Sequence, residues 1–127
     1  MAIETMLADR AAEAAVCGAM IQRAACIPSV LQVISAEDIA HDDLGAVFGA
    51  VLRVWHAHGG SVDGVLVRSD LESRGLLDKI GGADFLRQVV ESTPTAATAT
   101  YYADRVAERA RYRACFQAVE RMRARLG

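Results

Sequence analysis

The spacing of apolar residues is the feature that most constrains this chain, because it is helical almost from end to end. Apolar residues recur every three or four positions between Asp9 and Ile21, and again in residues 46–58 and 112–126. No segment alternates apolar and polar residues for long, and Asp63-Gly64 weakens the only candidate strand, residues 61–67. The pattern therefore predicts an all-α fold.

Capping residues and helix breakers divide this pattern into about six short helices and one long one. Pro28 suits the first turn of a short helix, and Ser35 with an acid three residues later, Asp38, resembles a capping box. Asp63 is a predicted N-cap of a helix that Gly75 stops.

The length of 127 residues suits one domain with a real core. The helical pattern breaks at "STPT", after which Thr95 can cap the long last helix. We predict three regions: an N-terminal tail (1–8), a compact globular helical head (9–94) and a long C-terminal helix (95–127).

Charge and cysteine usage exclude several classes of protein. The chain has 14 basic and 16 acidic residues, and its formal charge of −2 does not indicate a general affinity for nucleic acid. Its three cysteines form no CxxC pair and no secretory signal is recognised, so we expect reduced thiols and a cytoplasmic location. No apolar run is long enough to predict a membrane span.

The glycine pair in "LLDKIGGADFL" raises the question of a phosphate-binding loop. Such a loop follows a strand and usually ends in Gly-Lys-Ser/Thr, whereas here no strand precedes and Lys79 lies before the glycines. We interpret Gly81 as the close of one helix, where positive φ is needed, and Gly82 as the tight start of the next. Together with Gly75, they are the predicted structural joints.

Other candidate reactive residues also have simpler explanations. His56 and His58 would point about 200° apart on a helix, so they cannot easily share a metal ion. His41 fits an exposed, acid-rich helix start, and Cys17 and Cys115 are interpreted as small core residues. We therefore expect no catalytic residue, no metal ligand and no cofactor site.

The last helix carries one continuous apolar stripe, with spacings of four, three, three and four: Tyr112, Phe116, Val119, Met122 and Leu126. Seven arginines and three acids surround this stripe. A helix that projects beyond a small globule would leave the stripe in water, which favours a partner helix. We predict that the five residues form an oligomer interface. The arginines leave DNA contact open, although the interleaved acids favour a solvated face.

The order of motifs resembles the N-terminal domain of the replicative, DnaB-type hexameric DNA helicases. The segments "AEAAVCGAMI" and "EDIAHDDLGAVF" match the opening motifs, and Ser61-Val62-Asp63 matches a Pro-Ile-Asp-like step. "LESRGLLDKIGGADFL" and "STPTAATATYYADRVAERARYR" match the later ones. The resemblance covers residues 7–126. Agreeing positions include Ala12, Glu13, Gly18, Asp38, Val47, Phe48, Leu71, Gly75, Leu77, Gly81, Gly82, Phe85, Leu86, Tyr102, Ala103, Val106, Glu108 and Arg113. Departures, among them Cys17, Leu44 and Thr98, fall at packing positions and concern subfamily and fine contacts more than fold.

The resemblance implies a helical globule followed by a helical hairpin, of which the long helix would be the first arm. It implies a non-catalytic collar domain that mediates oligomerisation, as a homodimer or within a hexamer, and that docks primase and helicase loaders during DNA replication. It places ATP, Mg²⁺ and strand separation in a separate C-terminal RecA-like domain, and this chain has no Walker A lysine. The simplest expectation is a domain that ends inside the hairpin.

Two alternatives remain at the level of sequence. The first is a free-standing regulator, for example phage-encoded, that pairs with a helicase collar. The second is a small DNA-binding helical protein that uses the arginine-rich last helix. Neither alternative involves catalysis by this chain.

Overall fold

A computed structural model describes residues 7–127, and these residues form helices but no strand, which confirms the predicted all-α fold. In this part of the chain the α-helices are α1 (Arg10–Gln22), α2 (Ile27–Leu31), α3 (Asp42–Ala57), α4 (Gly64–Ser73), α5 (Leu77–Ile80), α6 (Gly82–Glu91) and α7 (Ala99–Leu126). Three 3-10 helices lie at Ala24–Cys26, Ala36–Asp38 and Ala96–Thr98. The predicted tail, residues 1–8, lies mostly outside the described residues.

Local side-chain caps explain where several helices begin. The Asp9 carboxylate accepts a hydrogen bond from the Ala12 N–H at 3.0 Å, and Asp63 accepts from the Leu66 N–H at 2.8 Å. The N-cap predicted at Asp63 is therefore confirmed, and the candidate strand at residues 61–67 is instead helical from Gly64. Thr95 caps the 3-10 helix that precedes α7 rather than α7 itself.

The strongest predicted helix of the first half begins earlier than expected. Its apolar face indicated a start near Ala46, but α3 begins at Asp42. Acidic residues in a first turn are favoured by the partial positive charge of a helix N-terminus, and Asp42 and Asp43 occupy that turn. The carbonyl of His41 accepts the first hydrogen bond, from the Gly45 N–H at 2.8 Å.

Helix α1 lies at the centre of the head, with most of its residues buried against α3, α6 and α7. Large, fully buried side chains come from several elements and include Met20, Phe48, Leu71 and Val106. Burial of one such side chain is worth about 1.5–3 kcal/mol, so these contacts hold the short helices, which would not be stable alone.

The backbone of α1 lies very close to the end of α6 and the residues that follow it. A Cβ atom on Gly18 would lie 2.3 Å from the Thr93 Oγ1 and 2.5 Å from the Val89 carbonyl oxygen. The buried Thr93 hydroxyl donates to the Ala15 carbonyl at 2.9 Å, and the Gln22 amide donates to the Thr93 carbonyl at 3.2 Å. Only glycine lets the two elements approach this closely.

The predicted joints have the backbone conformation that glycine favours. Gly81, with φ of 109°, lies between α5 and α6, and Gly82 follows with φ of 76°. Gly75, with φ of 70°, follows α4. The glycine pair thus lies between two helices, with no strand before it in the described chain.

In residues 7–127 no single helix is both long and apolar enough to cross a bilayer. The helical segments Arg10–Gln22 and Ala24–Leu31 reach that length and composition only as a pair, which bends by 119°.

Candidate assembly surface

Helix α7 has two parts that differ in burial. Ala99, Ala103 and Val106 are buried against the head, whereas no residue of 107–126 is buried. We call residues 107–126 the arm, and at ~1.5 Å rise per residue it extends for about 30 Å. The head therefore positions the first third of α7, and the arm presents its surface to solvent.

An ion pair secures the base of the arm to the start of α1. The Arg105 guanidinium donates from Nε to the Asp9 Oδ2 at 2.9 Å. Burial raises the pKa of Asp9, but hydrogen bonds from the Ala12 N–H and from Arg105 outweigh it, so the pKa lies below its usual range. The Asp9 carboxylate thus caps α1 and holds α7 at the same time.

Arg113 makes a second attachment, two turns further along. Its Nη1 donates to the Leu7 carbonyl at 2.7 Å and its Nη2 donates to the Asp38 carbonyl at 2.6 Å. One guanidinium therefore bridges the N-terminal segment and the loop over residues 35–41. We call this set of contacts the Arg113 clamp.

Residues 35–41, which Arg113 contacts at Asp38, are also held by a buried carboxylate. Glu13, only 1% exposed, accepts hydrogen bonds from the Ala40 N–H at 2.9 Å and the His41 N–H at 3.2 Å. The His41 Nδ1 lies 2.8 Å from its Oε1. His41 thus lies at the acid-rich start of α3, as interpreted from the sequence, but its side chain is only one third exposed because it is tied to Glu13 of α1. The one available signal was an acid within the apolar face of α1.

The apolar stripe of the arm is exposed along its whole length. The fractional exposures are 46% for Tyr112, 37% for Phe116, 57% for Val119, 58% for Met122 and 88% for Leu126. These are most of the large apolar side chains that the described chain exposes. An oligomer interface at the stripe stays a prediction, and the structure supplies the accessible surface that it needs.

The arm and the head carry opposite net charge. Six arginines and two glutamates give the arm, residues 107–126, a formal charge of +4, which leaves −6 for the rest of a chain whose total is −2. Within the described chain no ion pair involves Arg111, Arg121 or Arg125. Their positive charge faces solvent, with Arg111 beside the stripe and Arg121 on the opposite face of the helix.

The other cysteines and histidines considered as candidate reactive residues differ in how far they are buried. Cys17 is fully buried, and burial raises the pKa of its thiol, as expected for a core residue. Cys115 is exposed, so its interpretation as a core residue was wrong, because the arm has left the core at that point. His56 and His58 are exposed at the end of α3. The described residues contain no group of three or more histidine, cysteine or acidic side chains suited to a metal ion.

Comparison with known proteins identifies relatives over most of the chain. The family model of the DnaB-like helicase N terminal domain matches residues 5–108. The replicative DNA helicase DnaB of Mycobacterium leprae is 38% identical over 114 residues, which cover 90% of this chain and 19% of that helicase. The replicative DNA helicase DnaB of Leifsonia xyli is 32% identical over 114 residues and 25% of its length.

A solved structure agrees with the fold. The crystal structure of the N-terminal domain of DnaB helicase from Mycobacterium tuberculosis is 38% identical, with a TM-score of 0.85, and the match covers 90% of this chain and 82% of that domain. The chain spans about a fifth to a quarter of the length of the curated helicases it matches. Both the profile and the fold agree with the resemblance first indicated by the sequence motifs, and the chain belongs to the family of DnaB-like helicase N-terminal domains.

Proposed function

We propose that this domain is a non-catalytic collar element of a cytoplasmic replicative DNA helicase, and that the arm is its assembly surface. Family membership supports the link to replication, because the relatives are replicative DNA helicases. The observation that carries the assembly role is the exposed stripe at the end of a helix anchored in the head. ATP and Mg²⁺ chemistry is assigned to a separate domain of the parent protein.

Burial of the stripe would release enough free energy to hold chains together. Five apolar side chains contribute on the order of 5–10 kcal/mol before the entropy of association is subtracted. The stripe lies outside the core of its own head. The surface that covers it must therefore come from another copy of the chain or from another segment of the assembly. We propose self-association into a dimer, or into a hexamer in the parent protein.

Phe116→Asp tests the assembly role. The aspartate places a charge in the middle of the stripe, and because the side chain lies outside the core the variant should stay folded but become monomeric. Sedimentation velocity measures the oligomeric state and circular dichroism the helical content. Gln117→Asp, at the neighbouring exposed position off the stripe, adds the same charge and should leave the oligomer intact. An unchanged oligomer for Phe116→Asp would locate the interface elsewhere.

We further propose docking of the primase C-terminal domain and of helicase loaders. Support comes from the motif resemblance together with an accessible head and arm. The test is a pulldown of the cognate primase C-terminal domain by this chain, with Phe116→Asp separating contacts at the arm from contacts at the head. Failure of the wild-type chain to retain primase would remove this part of the proposal.

The charge of the arm favours one second candidate, direct contact with DNA. A charge of +4 concentrated on the exposed arm would attract phosphates despite the net acidity of the chain. A mobility shift of duplex DNA that weakens steeply with salt would support this candidate. The absence of any shift at micromolar protein and low salt would exclude it.

A further inference from the structure

A shallow groove of about 310 Å³ lies on the head between helices α4 and α6, and its lining is mainly apolar. Helix α6 supplies Ala83, Leu86 and Val90, which recur at helical spacing along one face, and α4 supplies Gly64 and Val65. A Cβ atom added to Gly64 would meet no atom within 4 Å, so the groove is open at that end. We call this surface the α4–α6 groove.

Val65 is an apolar side chain that the head leaves in water. It is 74% exposed, and among the described residues 7–94 it is the only strongly exposed large apolar side chain. A single exposed valine is common in proteins, but this one borders a concave apolar surface that also includes Val90. This combination favours an apolar side chain that enters the groove from another molecule.

Two arginines border the groove, one on each helix. The side chains of Arg68 on α4 and Arg87 on α6 are 56% and 57% exposed, and among the described residues no acid lines the groove with them. Glu72 lies 3.7 Å from Arg68, whereas Asp84 and Glu91 lie 3.5 and 3.1 Å from Arg87. Exposed pairs at this spacing along one helix are weak, so carboxylates that a ligand offers at the groove can compete for both guanidinium groups.

The concave shape and the mixed chemistry restrict the occupant. Phosphates of DNA or of an anionic membrane would pair with the two arginines but would leave the apolar groove unfilled. A volume of about 310 Å³ is near the lower end of the range of pockets that hold small ligands. It therefore suits the side chains of a short linear segment better than the whole face of a helix.

We propose that the α4–α6 groove docks a short linear segment of a partner protein, in which bulky apolar residues are flanked by acidic residues. An apolar side chain contacts Val65, Leu86 and Val90, and the flanking carboxylates pair with Arg68 and Arg87. This site goes beyond the assembly role, because it involves no residue of the arm.

Three short capped peptides test this proposal by titration into the full chain labelled with ¹⁵N. The first contains Asp-Asp-Leu-Phe-Asp-Asp, the second has lysines in place of the aspartates, and the third has two serines in place of Leu-Phe. Amide chemical shifts measure the affinity and locate the site. The acidic peptide should bind about tenfold tighter than the lysine peptide and shift the amides that line the groove. The serine peptide should bind at least about tenfold more weakly, because it has no apolar side chain to insert.

Neutralisation of the two arginines tests the charge pairing. Arg68→Gln combined with Arg87→Gln should remove the preference for the acidic peptide over the lysine peptide. The control Arg23→Gln combined with Lys79→Gln removes the same charge at exposed positions outside the groove, and the preference should persist. Circular dichroism checks that both variants keep their helical content.

A larger side chain inside the groove tests the shape. Ala83→Leu fills the groove from an exposed position of α6, so the variant should stay folded and bind the acidic peptide about tenfold more weakly. Gln88→Leu adds a leucine about 140° away around the same helix, at another exposed position, and should leave the affinity unchanged.

Equal affinity for the acidic and lysine peptides, shifts confined to other surfaces, or unchanged affinity of Ala83→Leu would overturn the proposal. Groove shifts that depend on protein concentration without peptide would assign the groove to a second copy instead. Binding to phosphatidylserine vesicles that Ala83→Leu abolishes would assign it to a lipid surface. Phe116→Asp should bind the acidic peptide with unchanged affinity, so failure of the arm as an assembly surface would be distinguished from failure of this site.

Discussion

Gly18 shows how a single residue can decide the distance between two elements. Its missing side chain lets α1 meet the end of α6 at backbone distance, and the Thr93 hydroxyl fills the remaining space. This glycine was recognised in the sequence only as a family motif, because nothing local in the apolar pattern marks a close approach. Its structural reason lies 75 residues away along the chain.

Gly18→Ala should destabilise the fold by about 1–3 kcal/mol, the usual cost of overpacking a filled site. The added Cβ would overlap the Thr93 Oγ1 and the Val89 carbonyl, and a backbone carbonyl cannot rotate away. Urea denaturation measures the free energy of unfolding. Gly45→Ala, within α3, is the matched control. The nearest atom to the added Cβ is the Ile39 Cγ2, 4.0 Å away, so this change should stabilise the fold by about 0.5–1 kcal/mol. Equal effects would contradict the close contact.

The Arg10–Asp43 pair makes a residue-scale contribution that depends on pH. Hydrogen bonds from the Arg10 guanidinium, at 3.0 and 2.7 Å, lower the pKa of Asp43 below its ordinary value. A carboxylate with a lowered folded-state pKa stabilises the fold above its unfolded pKa, and this contribution is lost as pH falls through the folded value.

Asp43→Asn should therefore lower the free energy of unfolding at neutral pH by about 0.5–1 kcal/mol, a modest amount because both partners are partly exposed. The difference from wild type should shrink as the pH falls below about 4 and be lost as the pH passes below the lowered folded-state pKa of Asp43. Denaturation at a series of pH values measures it. Asp84→Asn, at an 83% exposed carboxylate, should change stability little throughout. A difference that stays constant with pH would exclude the ionised pair as its cause.

At the scale of elements, the sequence predicted most of what is encoded locally. The start of α4 followed from the cap predicted at Asp63, which acts within three residues, and the start of α1 near Asp9 followed from its apolar spacing. The contacts that anchor the arm were not predictable, because Arg113 reaches Leu7 and Asp38 across long stretches of chain. Leu7 and Asp38 each contribute only a backbone carbonyl to these hydrogen bonds, so no residue type in the sequence indicates them.

The joint between α5 and α6 is an element-scale feature that depends on one conformation. Gly81→Val should destabilise by about 1–3 kcal/mol, because a β-branched residue is strained at φ of 109° and its Cβ would lie 3.2 Å from the Phe85 Cβ. Thermal or urea unfolding measures the effect. Gly64→Val places the same side chain in the first turn of α4, where no atom lies within 4 Å, and should change stability by less than about 0.5 kcal/mol. Similar losses at both positions would argue against backbone strain.

At the scale of the whole molecule, the Arg113 clamp determines how the arm leaves the head. Arg113→Gln should lower the free energy of unfolding by about 1–3 kcal/mol through loss of two charge-assisted hydrogen bonds. It should also broaden the distribution of head-to-arm distances. Double electron–electron resonance between spin labels at Arg23→Cys and Arg125→Cys, with the native cysteines replaced by serine or alanine, measures that distribution. Arg121→Gln, at an exposed residue without an ion pair in the described chain, should change neither quantity.

The arm also acts as a lever with its fulcrum at the point where α7 leaves the core. A rotation of roughly 10° at Val106 would carry the tip of a 30 Å helix through about 5 Å, close to one helical turn. The displacement is perpendicular to the axis of the arm and is about half of the 8–10 Å that separates the axes of two packed helices, so it would lift Leu126 off a partner helix. Small losses of angular rigidity at the Arg113 clamp are therefore amplified into loss of contact at the tip, and residues that never touch the partner can decide how much of the stripe it covers.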